Sequence, residues 1–274
     1  MVTQEQRRRQ LAREKFLRQQ QRRTSARRKA RMRNAAIASV LGVILIGSVA
    51  LYTTGVVLGD DDSKTNASAE VTPSASPSSK APDPCDKPAE GKVKTQTWKK
   101  EPAMTIDKSA KYTMKLATTC GDIDIALKTS AAPHTVNSFN FLAGKGYFDH
   151  TPCHRLTTNG IYVLQCGDPT GQGNGGPGYN IPDENLKDKS LKENMYPAGT
   201  VAMANTGQPG SGGSQFFLVY QNSPLPPSYT PFGTISDEGM TVLKKIAAAG
   251  ESTGAGDGAP NATVVIDKAT VTKS

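Results

Sequence analysis

Residues 34–59 form an unbroken run of 26 residues without a charged side chain, centred on AIASVLGVILIGSVALYTTGVVL. No other feature limits so strongly what this chain can fold into. About 20 predominantly apolar residues suffice for a helix to cross a bilayer, so the run is long enough for one tilted span. A buried core helix has no need of so long an uncharged stretch. Thirteen Lys and Arg precede the run and Asp60, Asp61 and Asp62 follow it. The positive-inside rule then places residue 1 in the cytoplasm and residues 60–274 outside. A cleaved signal peptide is the competing reading. It fits less well, because the basic region occupies residues 1–33 and no A-x-A pattern closes the apolar run. The expectation is an uncleaved, single-pass signal anchor in the cell membrane.

The formal charge of +9 divides unevenly around that span. Residues 1–33 hold 13 Lys and Arg against Glu5 and Glu14, a net of +11, which leaves 20 basic and 22 acidic residues elsewhere, a net of −2. The folded part is therefore not a basic nucleic-acid-binding domain. The tail, with Leu11, Phe16 and Leu17 scattered among its charges, suits the surface of anionic lipid; RNA or a cytoplasmic partner is the alternative. Residues 60–100 are rich in Ser, Thr, Ala, Pro, Asp and Lys, cannot bury enough apolar surface to fold, and read as an unfolded extracytoplasmic linker. Cys85 interrupts this linker and is better explained by docking on the domain that follows.

From about residue 101 the texture changes to short alternating segments. KYTMKLATTCGDIDIAL reads as two strands around a turn at 119–122, with Met114, Leu116, Ile123 and Ile125 on buried faces. Ala131-Ala132-Pro133 starts a helix that Gly144 stops, and a second helix is expected over about Glu238–Ala249. CHRL, IYVLQC, GTVAMAN, SQFFLVY, PFGTI and the closing ATVVIDKATVT are further strands between Gly/Pro-rich loops. Short strands with two helices suggest a mainly β domain, a closed barrel capped by helices, over residues 101–274.

Three stretches are more specific than composition can account for: YFDHTPCHRLTTNGIYVLQCGDPTGQGNGGPGY, then GTVAMAN followed by Gln215-Phe216-Phe217, then LPPSYTPFGTI. Their order and spacing resemble the cyclophilin-type peptidyl-prolyl cis–trans isomerases, and the basic tail, single span and linker resemble membrane-anchored bacterial members. The resemblance implies an eight-stranded antiparallel barrel closed by two helices, with the active groove on one outer face. It also implies a catalytic arginine at Arg155, an apolar pocket for the proline ring from Tyr162, Val163, Phe217 and Leu225, and contacts to the substrate from Gln165, Ala204, Asn205, Thr206, Gln215 and Tyr229. Tyr162 stands where members have Phe, Leu225 where many have Trp and Tyr229 where they have His. Leu225 offers no indole N–H donor, so cyclosporin-type inhibitors are expected to bind weakly. Two additional residues separate Arg155 from Gln165 relative to the commonest form.

These residue types suit rotation about an X–Pro bond, which breaks no covalent bond and so calls for no nucleophile, metal or cofactor. The expected partners are proline-containing stretches of exported polypeptides, handled by a monomer. A binding module or holdase on the same fold is the alternative. GDPTGQGNGGPG lacks the Lys-Ser/Thr ending and following helix of a phosphate loop and reads as a turn-rich wall of the groove. His154, adjacent to Arg155 in a strand, is expected on the opposite face. Outside the membrane disulfides persist. Cys153 and Cys166 fit a hairpin register centred between 159 and 160 and could face each other, leaving Cys85 and Cys120 as the remaining pair.

Overall fold

The computed structural model describes residues 82–274. The expected signal anchor, the basic tail and the first half of the linker lie outside the described residues. Among the described residues no helix is long and apolar enough to cross a membrane.

Strand β1 (Tyr112–Thr118) turns through Thr119 and Cys120 into β2 (Gly121–Leu127), with Met114 opposite Ile125 and Leu116 opposite Ile123. All four side chains are buried, as the alternation of the sequence predicts. Helix α1 (Pro133–Gly144) begins on a proline, whose missing N–H costs nothing in a first turn. It buries Val136, Phe139 and Leu142, and the Phe139 ring meets Phe148, Phe216 and Phe232 at centroid distances of 5.2, 5.5 and 4.6 Å. Helix α2 (Asp237–Ala248) is capped by Ser236, whose hydroxyl accepts from the Gly239 N–H, and Asp237 and Glu238 complement the dipole of its first turn.

The remaining strands are β3 (Thr151–Pro152), β4 (Arg155–Thr157), β5 (Val163–Cys166), β6 (Met195–Tyr196), β7 (Thr200–Met203), β8 (Phe216–Val219), β9 (Ser223–Pro224), β10 (Pro231–Ile235), β11 (Asp257–Gly258) and β12 (Val265–Lys273). Of the twelve strands among the described residues, ten form one sheet in the order β11-β4-β5-β8-β7-β10-β2-β1-β12-β3, and β6 pairs with β9. The closed eight-stranded barrel is thereby corrected to a half-barrel with two helices, because among the described residues no ladder joins the β3 edge to the β11 edge. The chain itself crosses that seam. Cys153 donates its N–H to Val264 O on one side and His154 donates to Gln165 O on the other, so residues 153–154 are satisfied without pairing the edges.

Cys153 is bridged to Cys166 and Cys85 to Cys120. The hairpin register differs by one from that expected: Arg155 lies opposite Gln165 and Leu156 opposite Leu164, so the first bridge runs diagonally rather than between facing residues. Packing on the domain begins ahead of residue 101. Beyond the Cys85 bridge, the Ala89 N–H donates to Asp267, and the Trp98 ring packs edge-on to Phe141 and near Tyr147 while the Trp98 backbone N–H donates to Pro177 O.

Candidate functional site

In an antiparallel sheet, residues directly opposite each other project from the same face. Arg155 on β4 lies opposite Gln165 on β5, Gln165 opposite Phe217 on β8, and Phe217 opposite Ala202 on β7. Four strands thus align a guanidinium, an amide, a phenyl ring and a methyl group in one row on the outer face. The intervening residues Leu164, Phe216 and Leu218 belong to the main core, whereas Val163, Phe217 and Val219 form a separate cluster with Tyr196 and Ala202.

Above this row lies a cavity of about 220 Å³ lined by Arg155, Ile161, Val163, Gln165, Ala204, Asn205, Phe217, Leu225 and Tyr229. Phe217 is buried beneath it, and the Tyr229 ring stands edge-on to Phe217 at 5.4 Å. Tyr196 packs against both rings and donates its hydroxyl to Tyr229 O at 2.7 Å; burial pushes the Tyr196 phenol up to about 12, which keeps it a donor. Asn205 braces the 225–229 loop by donating from Nδ2 to Ser228 O, while its Oδ1 accepts from the Gly207 N–H. A neighbouring cavity of about 390 Å³ shares Gln165, Ala204 and Asn205 and adds Thr206, Gln215 and the 173–180 loop.

Polar side chains between the two cavities form a directed relay. Arg155 Nη1 donates to Gln165 Oε1 at 3.2 Å, Gln165 Nε2 to Gln215 Oε1 at 2.9 Å, and Gln215 Nε2 to Gly175 O at 2.9 Å. Each amide is oriented by its other end. The relay ends on a loop shaped by Asp168, a buried carboxylate that accepts from the N–H groups of Thr170, Gly173 and Asn174 and from the Thr170 hydroxyl. Burial opposes its ionisation, but the Gly175 N–H together with the Thr170 and Gly173 donors outweighs burial and holds the carboxyl below its usual range. A Cβ on Gly175 would collide with the same carboxylate, so glycine is required there by close approach. The Gly-rich stretch is thus a wall wound around one aspartate.

The far side of Arg155 meets Asp257, which accepts from Nε at 2.7 Å and from Nη2 at 2.8 Å. This pairing, first, raises the guanidinium above its already high value, and burial works against it. Asp257 did not figure among the residues expected from the sequence. Nor did Ile161.

Of the expected site residues, Arg155, Val163, Gln165, Ala204, Asn205, Phe217, Leu225 and Tyr229 line the smaller cavity, and Thr206 and Gln215 line the larger one. Tyr162 lines neither. Residues 161, 163 and 165 share a parity, so Ile161 reaches the cavity and Tyr162 turns away to pack edge-on to Tyr220 at 5.8 Å. His154 lies half-buried beneath Gly173, with neither ring nitrogen hydrogen-bonded, and burial lowers its pKa.

Residues 113–271 match the family model described as cyclophilin type peptidyl-prolyl cis-trans isomerase/CLD. A probable peptidyl-prolyl cis-trans isomerase B of Mycobacterium leprae is 46% identical over 196 residues, covering 69% of this chain and 62% of that protein. The protein of the same description from Mycobacterium tuberculosis is 44% identical over 195 residues, covering 68% of this chain and 59% of its own length. The chain thus matches about three fifths of the length of these curated relatives. A crystal structure of a Cryptosporidium parvum cyclophilin type peptidyl-prolyl cis-trans isomerase superposes with a TM-score of 0.50 at 27% identity, covering 60% of this chain and 99% of that one.

Proposed function

The chain belongs to the cyclophilin-type peptidyl-prolyl cis-trans isomerase family, and from that premise we propose that it catalyses rotation about X–Pro peptide bonds in extracytoplasmic polypeptides. One observation carries the proposal: a guanidinium held by hydrogen bonds at the edge of a cavity that Ile161, Val163, Phe217 and Leu225 also line.

The barrier to rotation is about 18–20 kcal/mol because the C–N bond has double-bond character. When the amide twists, its nitrogen becomes pyramidal and regains a lone pair. A donor aimed at that nitrogen stabilises the twisted state more than the planar one, which is the condition for catalysis. Arg155 stays charged throughout, and the bonds to Asp257 and Gln165 use three of the five N–H groups of a guanidinium. One N–H on Nη1 and one on Nη2 are left for the substrate. Phe217, Val163, Ile161 and Leu225 offer the proline ring an apolar seat that excludes water from the twisting bond. Gln215 and Asn205 are available to hold the flanking backbone.

The charge pattern of residues 1–62 supports a membrane-anchored form with residue 1 in the cytoplasm. The Cys85–Cys120 and Cys153–Cys166 bridges support an oxidising compartment for the domain, acting on exported chains as a monomer. Protease added to intact cells should degrade the domain; full protection of residues 82–274 would place it inside.

Activity is tested on the full chain by protease-coupled X–Pro isomerisation, wild type beside Arg155→Ala. Wild type should accelerate the reaction, and the variant should lose on the order of 10²-fold in kcat, the scale of losing one preorganised donor, while still binding proline peptide. A wild type no faster than the uncatalysed reaction would convert the reading to a binding module.

A further inference from the structure

We propose that Asp257 is a positioning residue for catalysis: it fixes the plane of the Arg155 guanidinium so that the remaining N–H groups point at the twisting bond. The inference rests on the isomerase reading above and adds a residue to it.

Strand β11 extends the sheet by two residues beyond β4, with Asp257 opposite Thr157 and Gly258 opposite Leu156. The loop that delivers it is built rather than incidental. Glu251, nearly buried, accepts from the Thr253 N–H at 2.6 Å, the Thr253 hydroxyl at 2.7 Å and the Gly256 N–H at 2.8 Å, and Glu251 also bridges to Pro260 across the loop. Gly256, at φ 91°, sits so close to Asn159 that a Cβ would overlap it, and the Thr158 N–H donates to Gly256 O at 2.9 Å. The connection between Arg155 and Gln165 therefore carries the very residues that dock the Asp257 loop.

Two edges of the guanidinium are then occupied. Asp257 holds Nε and Nη2 as a fork, and Gln165 holds Nη1. A single bond to Gln165 would let the group pivot; a bidentate carboxylate on the opposite edge stops the pivot. An opposing effect must be weighed. A carboxylate beside the guanidinium also neutralises part of the field that would act on the substrate. The two side chains are 38% and 56% exposed, so solvent screens that charge cancellation, whereas orientation does not depend on screening. Orientation wins, and removing the carboxylate should slow the reaction rather than speed it.

The test compares full-chain wild type, Asp257→Asn, Asp257→Glu and, as a matched loss of an exposed ion pair elsewhere, Asp107→Asn, which gives up the Lys273 pairing. Asp257→Asn should lower kcat by about tenfold with KM within about twofold, less than a full misplacement because Gln165 still holds one edge. Asp257→Glu should recover part of the loss, and Asp107→Asn should match wild type. Independently of turnover, the Arg155 Nε–H resonance should exchange slowly in wild type, where Asp257 accepts from it, and should broaden or vanish in Asp257→Asn; an equally slow resonance in both would contradict the positioning role. An active wild type with Asp257→Asn unchanged or faster, or with its loss confined to KM, overturns the positioning role alone. An inactive wild type overturns the isomerase reading and this inference with it.

Discussion

The two faces of β5 and β8 are both apolar and do different work. Leu164, Cys166, Phe216 and Leu218 point inward to the main core; Val163, Phe217 and Val219 point outward and are also buried, under Tyr196 and beside Leu225 and Tyr229. On the inner face burial is complete and the rings of Phe139, Phe148, Phe216 and Phe232 pack on one another. On the outer face burial stops at a cavity of about 220 Å³ edged by Arg155. The same residue type, at adjacent positions, thus serves cohesion on one side and binding on the other. Strands covered on both faces lose polar alternation, so hydrophobicity cannot tell which phenylalanine belongs to the site. Gln165, the one polar residue in β5, marks the outer face.

The sharpest way to break this comparison is to truncate each phenylalanine. Phe216→Ala should cost about 3–5 kcal/mol of stability, the range for a large core ring, read by denaturant unfolding. Phe217→Ala, bordering a cavity that already exists, should cost only about 1–2 kcal/mol yet reduce X–Pro turnover far more than it reduces stability. Equal stability losses would mean that the outer face is ordinary core. Next in size is the Cys153–Cys166 bridge on the inner face, which closes a separation of 13 residues. Its replacement by two serines should lower stability by about 3 kcal/mol and leave the turnover of the folded protein nearly unchanged. A loss of turnover without a loss of stability would tie the bridge to the groove instead.

The smallest effect concerns His154, between the two faces. Burial lowers its pKa from 6.5 in the folded state, so between the two values the unfolded chain binds more protons. Its contribution to stability is therefore intact above about pH 6.5 and is lost as pH falls from there toward the lowered folded value. His154→Gln should flatten that part of the stability–pH curve, and an unaltered slope between wild type and variant would contradict the buried, unpartnered ring.

Much of this was legible in the residues. The alternation in 112–127 marks β1 and β2, the stretch 131–133 and Gly144 bracket α1, and the joint spacing of Arg155, Gln165, Gln215 and Phe217 carries the resemblance. The misses have physical causes. Tyr162 was assigned by correspondence with a family Phe, whereas parity with Gln165 selects Ile161. Asp257 lies 102 residues from Arg155, in a Gly-rich loop with no apolar periodicity, on a strand of two residues that no pattern announces. Residues 83–100 are polar enough to read as tether, and only the isolated Cys85 and Trp98 hint that they are fastened down. The open seam at 153–154 depends on two backbone hydrogen bonds, one to Val264 just ahead of β12 and one to Gln165 in β5, which side-chain identity does not encode.

The measurement that tests the division of faces most directly is a titration of the methyl-labelled protein with a proline-containing peptide, followed by NMR. The account predicts shifts at the Val163 and Leu225 methyls, with Leu164 and Leu218, on the far side of the same sheet, nearly still. Shifts at Leu164 and Leu218 equal to those at Val163, or none at Val163, would contradict it.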